Sequence, residues 1–442
     1  MKNSRSRKWF VPAKVIILAG LLLLPEAPGL PGAVGVPEPQ SGMQDDRVFD
    51  WLKNVYDQHE KKNYALLIEE LESFHQTFPF SKYAPRVQAM LAEVYSEKRE
   101  RPEAIASYLK LLFLYPDFED LQVAKDRVRA LVAKEKSFKK NADAVLALMN
   151  GSDGQSDADR RFALVEALYA LNIRSLNDWL LRETRSWLTR FPDDDRGDKM
   201  LAMQAGMYLR AGREHTAAAL LFKFESVFPL SPQLADVRFR RGKLLYKKLG
   251  KPEDAAEVFK MIVSEQPRSP VAPRALFLLA EVEERKLKQP DAAMVTYRNV
   301  VKQYPDSPFA VDALLQIAKI QTDNKKDYAG AIATYLEVAE SYSDDERTIP
   351  ALEKAAYLYE RRFKDYVNAA LQYVRIAEAF PTYKKAPDML VKAGRLYENK
   401  ADDLESALGC YDLVLKNYPE HKKAREAAGR IEKIQKKREK GR

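Results

Sequence analysis

Small and apolar residues recur along this chain with a period of 37 or 38 residues. An alanine marks most periods, at Ala104, Ala142, Ala217, Ala255, Ala293, Ala331, Ala369 and Ala407. Leu67 and Leu180 take the equivalent positions in two further periods. Large apolar residues usually follow four and seven positions later, as Tyr297 and Val300 follow Ala293. Because residues at these spacings lie on one face of an α-helix, each period predicts a helix that buries a face with a small residue on it.

A second helix is predicted in each period. Twelve residues after the small residue there is usually a proline. It ends the helix that carries the small residue, because proline lacks an N–H and clashes with the preceding turn. These prolines are Pro79, Pro116, Pro192, Pro229, Pro267, Pro305, Pro381 and Pro419. Thirteen residues after the proline position stands another small residue, at Ala92, Ala205, Gly242, Ala280, Ala318, Ala356 or Gly394, although Ser343 replaces the proline before Ala356. Each period therefore predicts a helix–turn–helix unit. About ten such units with a fixed period predict a stacked solenoid.

The pattern resembles the tetratricopeptide repeat. Ala293, Tyr297, Val300 and Pro305 match the second-helix signature of that family, and Gly394 and Tyr397 match its first helix. The period is longer than the usual repeat by about four residues. The resemblance covers roughly residues 44 to 420. It implies an all-α fold, a right-handed superhelical solenoid of about ten repeats.

The segments that join successive repeats resemble those of a smaller group of repeat proteins. Segments such as Tyr304-Pro305-Asp306-Ser307 look like those of bacterial envelope proteins, namely the outer-membrane assembly lipoproteins and the periplasmic partner of the Tol–Pal system. The N-terminal segment contains no cysteine, so the lipid attachment of the assembly lipoproteins is not expected here. The sole cysteine, Cys410, has no partner in the chain for a disulfide.

The N-terminus predicts export. Basic residues up to Lys14 precede an uncharged run from Val15 to Leu24, which Pro25 ends. This run is too short to span a bilayer, which takes about 20 residues. A basic segment followed by a short apolar one is typical of a secretory signal, here residues 1–35 with a cleavage site at Ala33-Val34-Gly35. The alternative is an uncleaved inner-membrane anchor that faces the periplasm.

The remaining chain divides into four segments. Residues 36–44 form a polar leader, residues 45–155 hold repeats 1–3, and residues 156–420 hold repeats 4–10. The division falls at the Gly/Ser/Asp cluster of residues 150–157, which is the best hinge candidate. The repeats on either side of it are degenerate, which indicates a kink or a binding site, with ordinary sequence drift as the alternative. Residues 421–442 form a basic tail. It is interpreted as a capping helix, and the alternative is contact with an anionic lipid or partner.

Charge is concentrated at the two ends. The formal net charge is +9, and residues 1–35 carry +4 while residues 422–442 carry +7. The repeats themselves are therefore nearly neutral. The nearly neutral charge of the repeats does not indicate nucleic-acid binding, which requires a continuous surface of positive charge. Membrane contact is expected only through the N-terminus or the basic tail.

No motif predicts catalysis. The four histidines do not stand at metal-ligand spacings, and the sequence has neither a phosphate-binding glycine loop nor a nucleophile elbow. The acidic run Asp193–Asp195 lacks the spacing of a calcium loop. We therefore predict no catalytic residue, no metal site, no cofactor and no enzymatic activity.

The resemblance implies that the first helix of each repeat lines a concave groove. Positions next to the small residue of that helix, and one turn away, are the candidate binding residues: Phe239, Lys243, Tyr246, Phe277, Glu281, Lys319, Tyr357 and Arg395. Aromatic side chains mixed with both signs of charge suit an extended peptide or a partner helix.

The sequence thus predicts a non-catalytic scaffold of the bacterial periplasm that binds other envelope proteins, in outer-membrane or cell-wall assembly. Two alternatives remain at this point. One is a helical module that contacts carbohydrate or peptidoglycan beside cell-wall enzymes. The other is an adaptor anchored in the inner membrane.

Overall fold

A computed structural model describes residues 41–151 and 156–440, and within these ranges the chain forms 21 α-helices and no β-strand. The predicted all-α class is therefore confirmed. The predicted signal segment, most of the predicted leader and part of the predicted hinge, residues 152–155, lie outside the described residues.

The helices form ten consecutive hairpins and one final helix. In chain order the hairpins are α1 (Ser41–Asp57) and α2 (Tyr64–Thr77), α3 (Ala84–Glu97) and α4 (Arg101–Leu114), α5 (Leu121–Lys134) and α6 (Ala142–Ala147), α7 (Asp157–Ala170) and α8 (Asn177–Arg190), α9 (Gly197–Arg210) and α10 (Glu214–Val227), α11 (Leu234–Lys247) and α12 (Pro252–Glu265), α13 (Ala272–Arg285) and α14 (Pro290–Gln303), α15 (Pro308–Ile320) and α16 (Tyr328–Ser341), α17 (Thr348–Leu358) and α18 (Tyr366–Ala379), α19 (Ala386–Leu396) and α20 (Leu404–Asn417), followed by α21 (Lys422–Lys440).

The turn inside most hairpins is closed by one residue in the left-handed conformation. These residues are Arg99, Asn172, Gly212, Gly250, Lys288, Lys326, Lys364 and Asp402. A left-handed residue commonly ends a helix because it turns the chain so that the last carbonyls are satisfied. In the last three hairpins a five-residue π-helical turn precedes it. Similar turns therefore give successive hairpins a similar shape, as stacking requires.

The small residues lie where helices make their closest contacts. The second-helix alanines Ala104, Ala217, Ala255, Ala293, Ala331, Ala369 and Ala407 are all fully buried. In the first helices, a Cβ added to Gly242 would lie 2.6 Å from the Phe259 ring, and one added to Gly394 would lie 2.6 Å from the Tyr411 ring. The predicted close packing between small residues and aromatic rings is thus present.

Hydrogen bonds join neighbouring hairpins at the proline joints. The hydroxyls of Tyr304, Tyr342 and Tyr418 each donate to the carbonyl of a proline in the preceding joint, at 3.0 Å in all three cases. Tyr342, for example, bonds to Pro305, 37 residues earlier. This contact explains why each of these joints begins with a tyrosine, which directly precedes Pro305, Ser343 or Pro419.

The third hairpin departs from the regular stack. Its second helix, α6, has only six residues, and Ala142 is only half-buried. Elsewhere the second helix of one hairpin packs against the first helix of the next, but here α7 packs against α4. As a result, every residue of α4 from Ala104 to Leu114 is buried. One hydrophobic core therefore crosses the predicted domain boundary at residue 155, and the hinge itself remains a prediction.

Residues 422–440 of the basic tail form the last helix of the stack. Helix α21 packs against α20 and α19, and it buries Ala427 and Ile434. Glu398 near the end of α19 accepts a hydrogen bond from Arg430 at 3.2 Å. Most of the remaining side chains of α21 are exposed, so the helix covers the last hairpin and presents a polar face.

Across residues 41–151 and 156–440, none of the helices combines the length and the apolar character needed to cross a bilayer.

Candidate functional site

Five of the predicted site residues form a row with one member in each of five hairpins. They lie 38 residues apart on α11, α13, α15, α17 and α19: Lys243, Glu281, Lys319, Tyr357 and Arg395. Each directly follows the buried small residue of its helix. Glu281 is half-buried and the other four are exposed. Because the hairpins repeat, equivalent positions on successive first helices present a continuous line of side chains.

Glu281 is the most strongly bonded member of this row. Its carboxylate accepts a hydrogen bond from the Tyr246 hydroxyl at 3.0 Å and one from Lys247 at 2.9 Å. Arg285 is an additional ion-pair partner at 3.4 Å. Burial, together with the hydrogen bond to Glu281, raises the pKa of the Tyr246 hydroxyl, which stays protonated as a donor. At the other end of the row, Arg395 pairs with Glu426 of α21.

The other three predicted residues, all aromatic, lie deeper than the row. Phe239 and Tyr246 are buried, at 5% exposure each, and Phe277 is half-buried. The Phe239 ring centre lies 6.1 Å from that of Phe259, and the Phe277 ring centre lies 5.3 Å from that of Tyr297. The structure therefore divides the predicted residues into two groups. The row faces solvent, whereas Phe239 and Tyr246 pack the repeats and offer little ring surface to a partner.

Comparison with known families agrees with this geometry. The sequence pattern of the tetratricopeptide repeat matches residues 236–269, 274–307, 312–345 and 388–421. The chain contains tetratricopeptide repeats. The matched segments fall on the sixth, seventh, eighth and tenth hairpins, four of the five that carry the row. Such repeats are typically interaction modules whose stacked helices form extended binding surfaces for proteins or peptides.

Solved structures of tetratricopeptide proteins are similar only at a low level. The C-terminal part of a repeat protein from Cytophaga hutchinsonii has 15% identity and a TM-score of 0.37, over 60% of this chain and 98% of that one. The pilF protein of Pseudomonas aeruginosa has 16% identity and a TM-score of 0.31, over 53% and 98%. YrrB, described as having an unusual peptide-binding site, has 15% identity and a TM-score of 0.31, over 45% and 94%. Comparison with curated protein sequences found no match.

Two observations bear on the chemistry of the described helices. In the part of the chain that the structure describes, no three His, Cys, Asp or Glu side chains come together as a metal site. Burial raises the pKa of the Cys410 thiol to about 12, so this cysteine is protonated at neutral pH and a poor nucleophile.

A cavity that was not predicted from the sequence is present near the N-terminal end of the array. It lies among α2, α3, α4, α7 and α8 and has a volume of about 520 Å³. His75, Lys110, Arg161 and Glu183 are among the residues that line it. One signal in the sequence could have indicated it, because Lys110 interrupts the otherwise apolar end of α4. A lysine on a helix that is buried throughout requires a polar space beside it.

Proposed function

We propose that this protein is a non-catalytic scaffold of the bacterial cell envelope that binds an extended segment of a partner protein along the row of first-helix residues. The observation that carries the proposal is the constant 38-residue step from Lys243 to Arg395, with one side chain contributed by each hairpin. A row of this kind matches a partner that runs along the stack. A compact ligand would instead need several groups that converge on one point.

The chemistry of the row favours a peptide partner. Three cationic side chains, one carboxylate and one tyrosine follow one another along it, so neither sign of charge is continuous. An extended polypeptide can match such an alternation with its own side chains while its backbone bonds to polar groups. A nucleic acid would meet the carboxylate of Glu281 with its own negative charge.

Position-specific cross-linking tests the row. A photoreactive amino acid placed at Lys319 or Tyr357 should give the same discrete adduct in cells of the organism that makes the protein. The same amino acid at Lys260 or Lys302, which are exposed on second helices, should give no such adduct. Gel shift and mass spectrometry of the adducts provide the measurement. Equal adducts at all four positions, or adducts only at Lys260 and Lys302, would contradict a partner bound along the row.

The proposed location is the periplasm, in outer-membrane or cell-wall assembly. It is supported by the sequence of residues 1–35, in which a basic segment precedes a short apolar one. N-terminal sequencing of the protein purified from the periplasmic fraction should begin at or near Val36. Recovery of a chain that keeps residues 1–35 in the membrane fraction would favour the alternative of an inner-membrane adaptor.

A further inference from the structure

The cavity near the N-terminal end of the array is bounded by helices from three different hairpins. Lys110 of α4 donates to Glu183 of α8 at 2.6 Å across it. Arg182 of α8 reaches the first two hairpins, at 3.3 Å from the Glu72 carboxylate and 3.1 Å from the Tyr95 hydroxyl. These contacts hold α8 opposite α2 and α3. The cavity therefore belongs to the irregular part of the stack, where α7 replaces α6 as the neighbour of α4.

The cavity has a buried interior and an exposed rim. Gln88 and Ser107 are completely buried, and Trp179 is 3% exposed. Gln76, Arg185 and Thr189 are exposed and lie around the opening. Its volume of about 520 Å³ falls within the range of small-ligand sites, roughly 300–1,000 Å³.

Positive charge predominates in the cavity. Five cationic side chains line it, namely Lys110, Arg161, Arg182, Arg185 and Arg190, against the two carboxylates of Glu72 and Glu183. Asp157 binds Arg161 at 2.9 Å and Arg190 at 3.2 Å, and positive charge remains in excess when it is included. Since several of these groups are shielded from water, their charges act over a longer range than on an open surface.

The pKa of His75 is affected by the positive charge of the cavity. Burial, and then the charges of Lys110, Arg161 and Arg190, hold the pKa of His75 well below its usual value. The imidazole is therefore neutral at neutral pH, because a further positive charge is unfavourable there. A negatively charged group in the same space would be favoured for the same reason.

Four polar atoms at this cavity lack a hydrogen-bond partner among the described residues. Gln88 donates through Nε2 to the Ser107 carbonyl at 3.0 Å, but its Oε1 accepts no bond. The Ser107 hydroxyl, His75 Nε2 and Arg190 Nε are likewise without a partner. Buried polar atoms are nearly always hydrogen-bonded, so a group of four around one cavity makes it suited to a polar ligand. Arg190 and Ser107 can donate, whereas Gln88 Oε1 can only accept.

We propose that this cavity binds a carboxylate that carries a neighbouring N–H donor, as an acidic amino-acid residue does. The carboxylate oxygens would accept hydrogen bonds from Arg190, Arg185 and the Ser107 hydroxyl. The N–H would donate to Gln88 Oε1. The residue can belong to a peptide or to a free N-acylated acid. The site lies outside the row from Lys243 to Arg395, so it does not depend on the scaffold function proposed above.

Calorimetric titration of the full chain with N-acetylglutamate tests this proposal directly. We expect saturable binding of one molecule per chain at low salt. The α-amide of N-acetylglutamine keeps the N–H but carries no carboxylate, so it should bind at least about tenfold more weakly, because a charge-assisted hydrogen bond is lost. Absence of binding by N-acetylglutamate and by the peptide described below, or equal binding of the neutral compound, would overturn the proposal.

The source of the carboxylate is distinguished by a second probe. An N-acetylated, C-amidated pentapeptide with one central glutamate offers the same group within a polypeptide. Tighter binding of the pentapeptide would identify a peptide segment as the ligand. Tighter binding of N-acetylglutamate would identify a free acid. Either result supports the proposed chemistry.

Two variants locate the binding in the cavity. Arg185→Gln removes a cation at the exposed rim, where Arg185 also donates to the Tyr208 hydroxyl, and glutamine keeps a donor of this kind. Ser107→Ala removes a hydroxyl that has no partner, and circular dichroism of both variants checks that the helices are unchanged. We expect the first to weaken binding about tenfold and the second about threefold. Arg240→Gln is the matched control, since Arg240 is an exposed helical arginine paired with Asp236 at 2.7 Å and lies outside the cavity. Unchanged affinity in both cavity variants would place the binding elsewhere and overturn the proposal.

Discussion

Replacing Trp187 with alanine should lower the free energy of unfolding by about 3–5 kcal/mol. The side chain is 1% exposed, and its ring lies between Phe162 and Phe191 at centre distances of 6.0 and 5.5 Å. Its Nε1 donates to the Ala158 carbonyl at 3.2 Å. Truncation removes these contacts, leaves a cavity and deprives the carbonyl of its donor. The effect should be large even though this repeat departs from the regular sequence pattern.

Urea unfolding followed by far-ultraviolet circular dichroism measures this loss. Because each hairpin of a solenoid contacts mainly its neighbours, a weakened hairpin can unfold before the rest, and the first transition is the one to compare. Trp51→Ala is the matched control, since Trp51 is 48% exposed on α1. The control should change the free energy of unfolding much less. Similar losses at the two positions would show that Trp187 is not a core residue.

The same substitution at two glycines of the tenth hairpin should have opposite effects on stability. Gly394→Ala places a Cβ 2.6 Å from the Tyr411 ring, which is fully buried. The ring cannot easily move, because its hydroxyl donates to Glu398 at 2.9 Å. Overpacking typically costs about 1–3 kcal/mol. We expect this cost to exceed the roughly 1 kcal/mol that alanine gains over glycine in a helix, so that Gly394→Ala destabilises the protein.

Gly409→Ala serves as the counterpart on the paired helix. A Cβ there meets no other atom within 4 Å, and the glycine is exposed within α20. Only the gain in helix propensity remains, so the protein should become more stable by about 0.5–1 kcal/mol. Comparison of the two urea transitions gives the sign of each effect. A stabilising Gly394→Ala would mean that the contact with Tyr411 is looser than the structure indicates.

Much of the fold could be predicted from local sequence. The small residues, the aromatic residues and the prolines each determine a local property, namely a close helix contact, a filled space or a helix end. Ala293, Tyr297 and Pro305 therefore specify one helix and its buried face without reference to the remaining chain. The row from Lys243 to Arg395 follows from the same register, because a residue next to a buried small residue lies at a fixed angle around the helix.

Other features depended on how the hairpins are arranged in space. The sequence indicated which face of each helix is buried, but not that Tyr246 turns its hydroxyl toward Glu281 and lies in the core. Nor did it indicate that α7 packs against α4, or that α8 then lies opposite α2. Those placements alone bring His75, Lys110 and Glu183 to one cavity. Helix periodicity determines the faces of single helices, whereas the angle and neighbours of each hairpin depend on packing between residues far apart in the sequence.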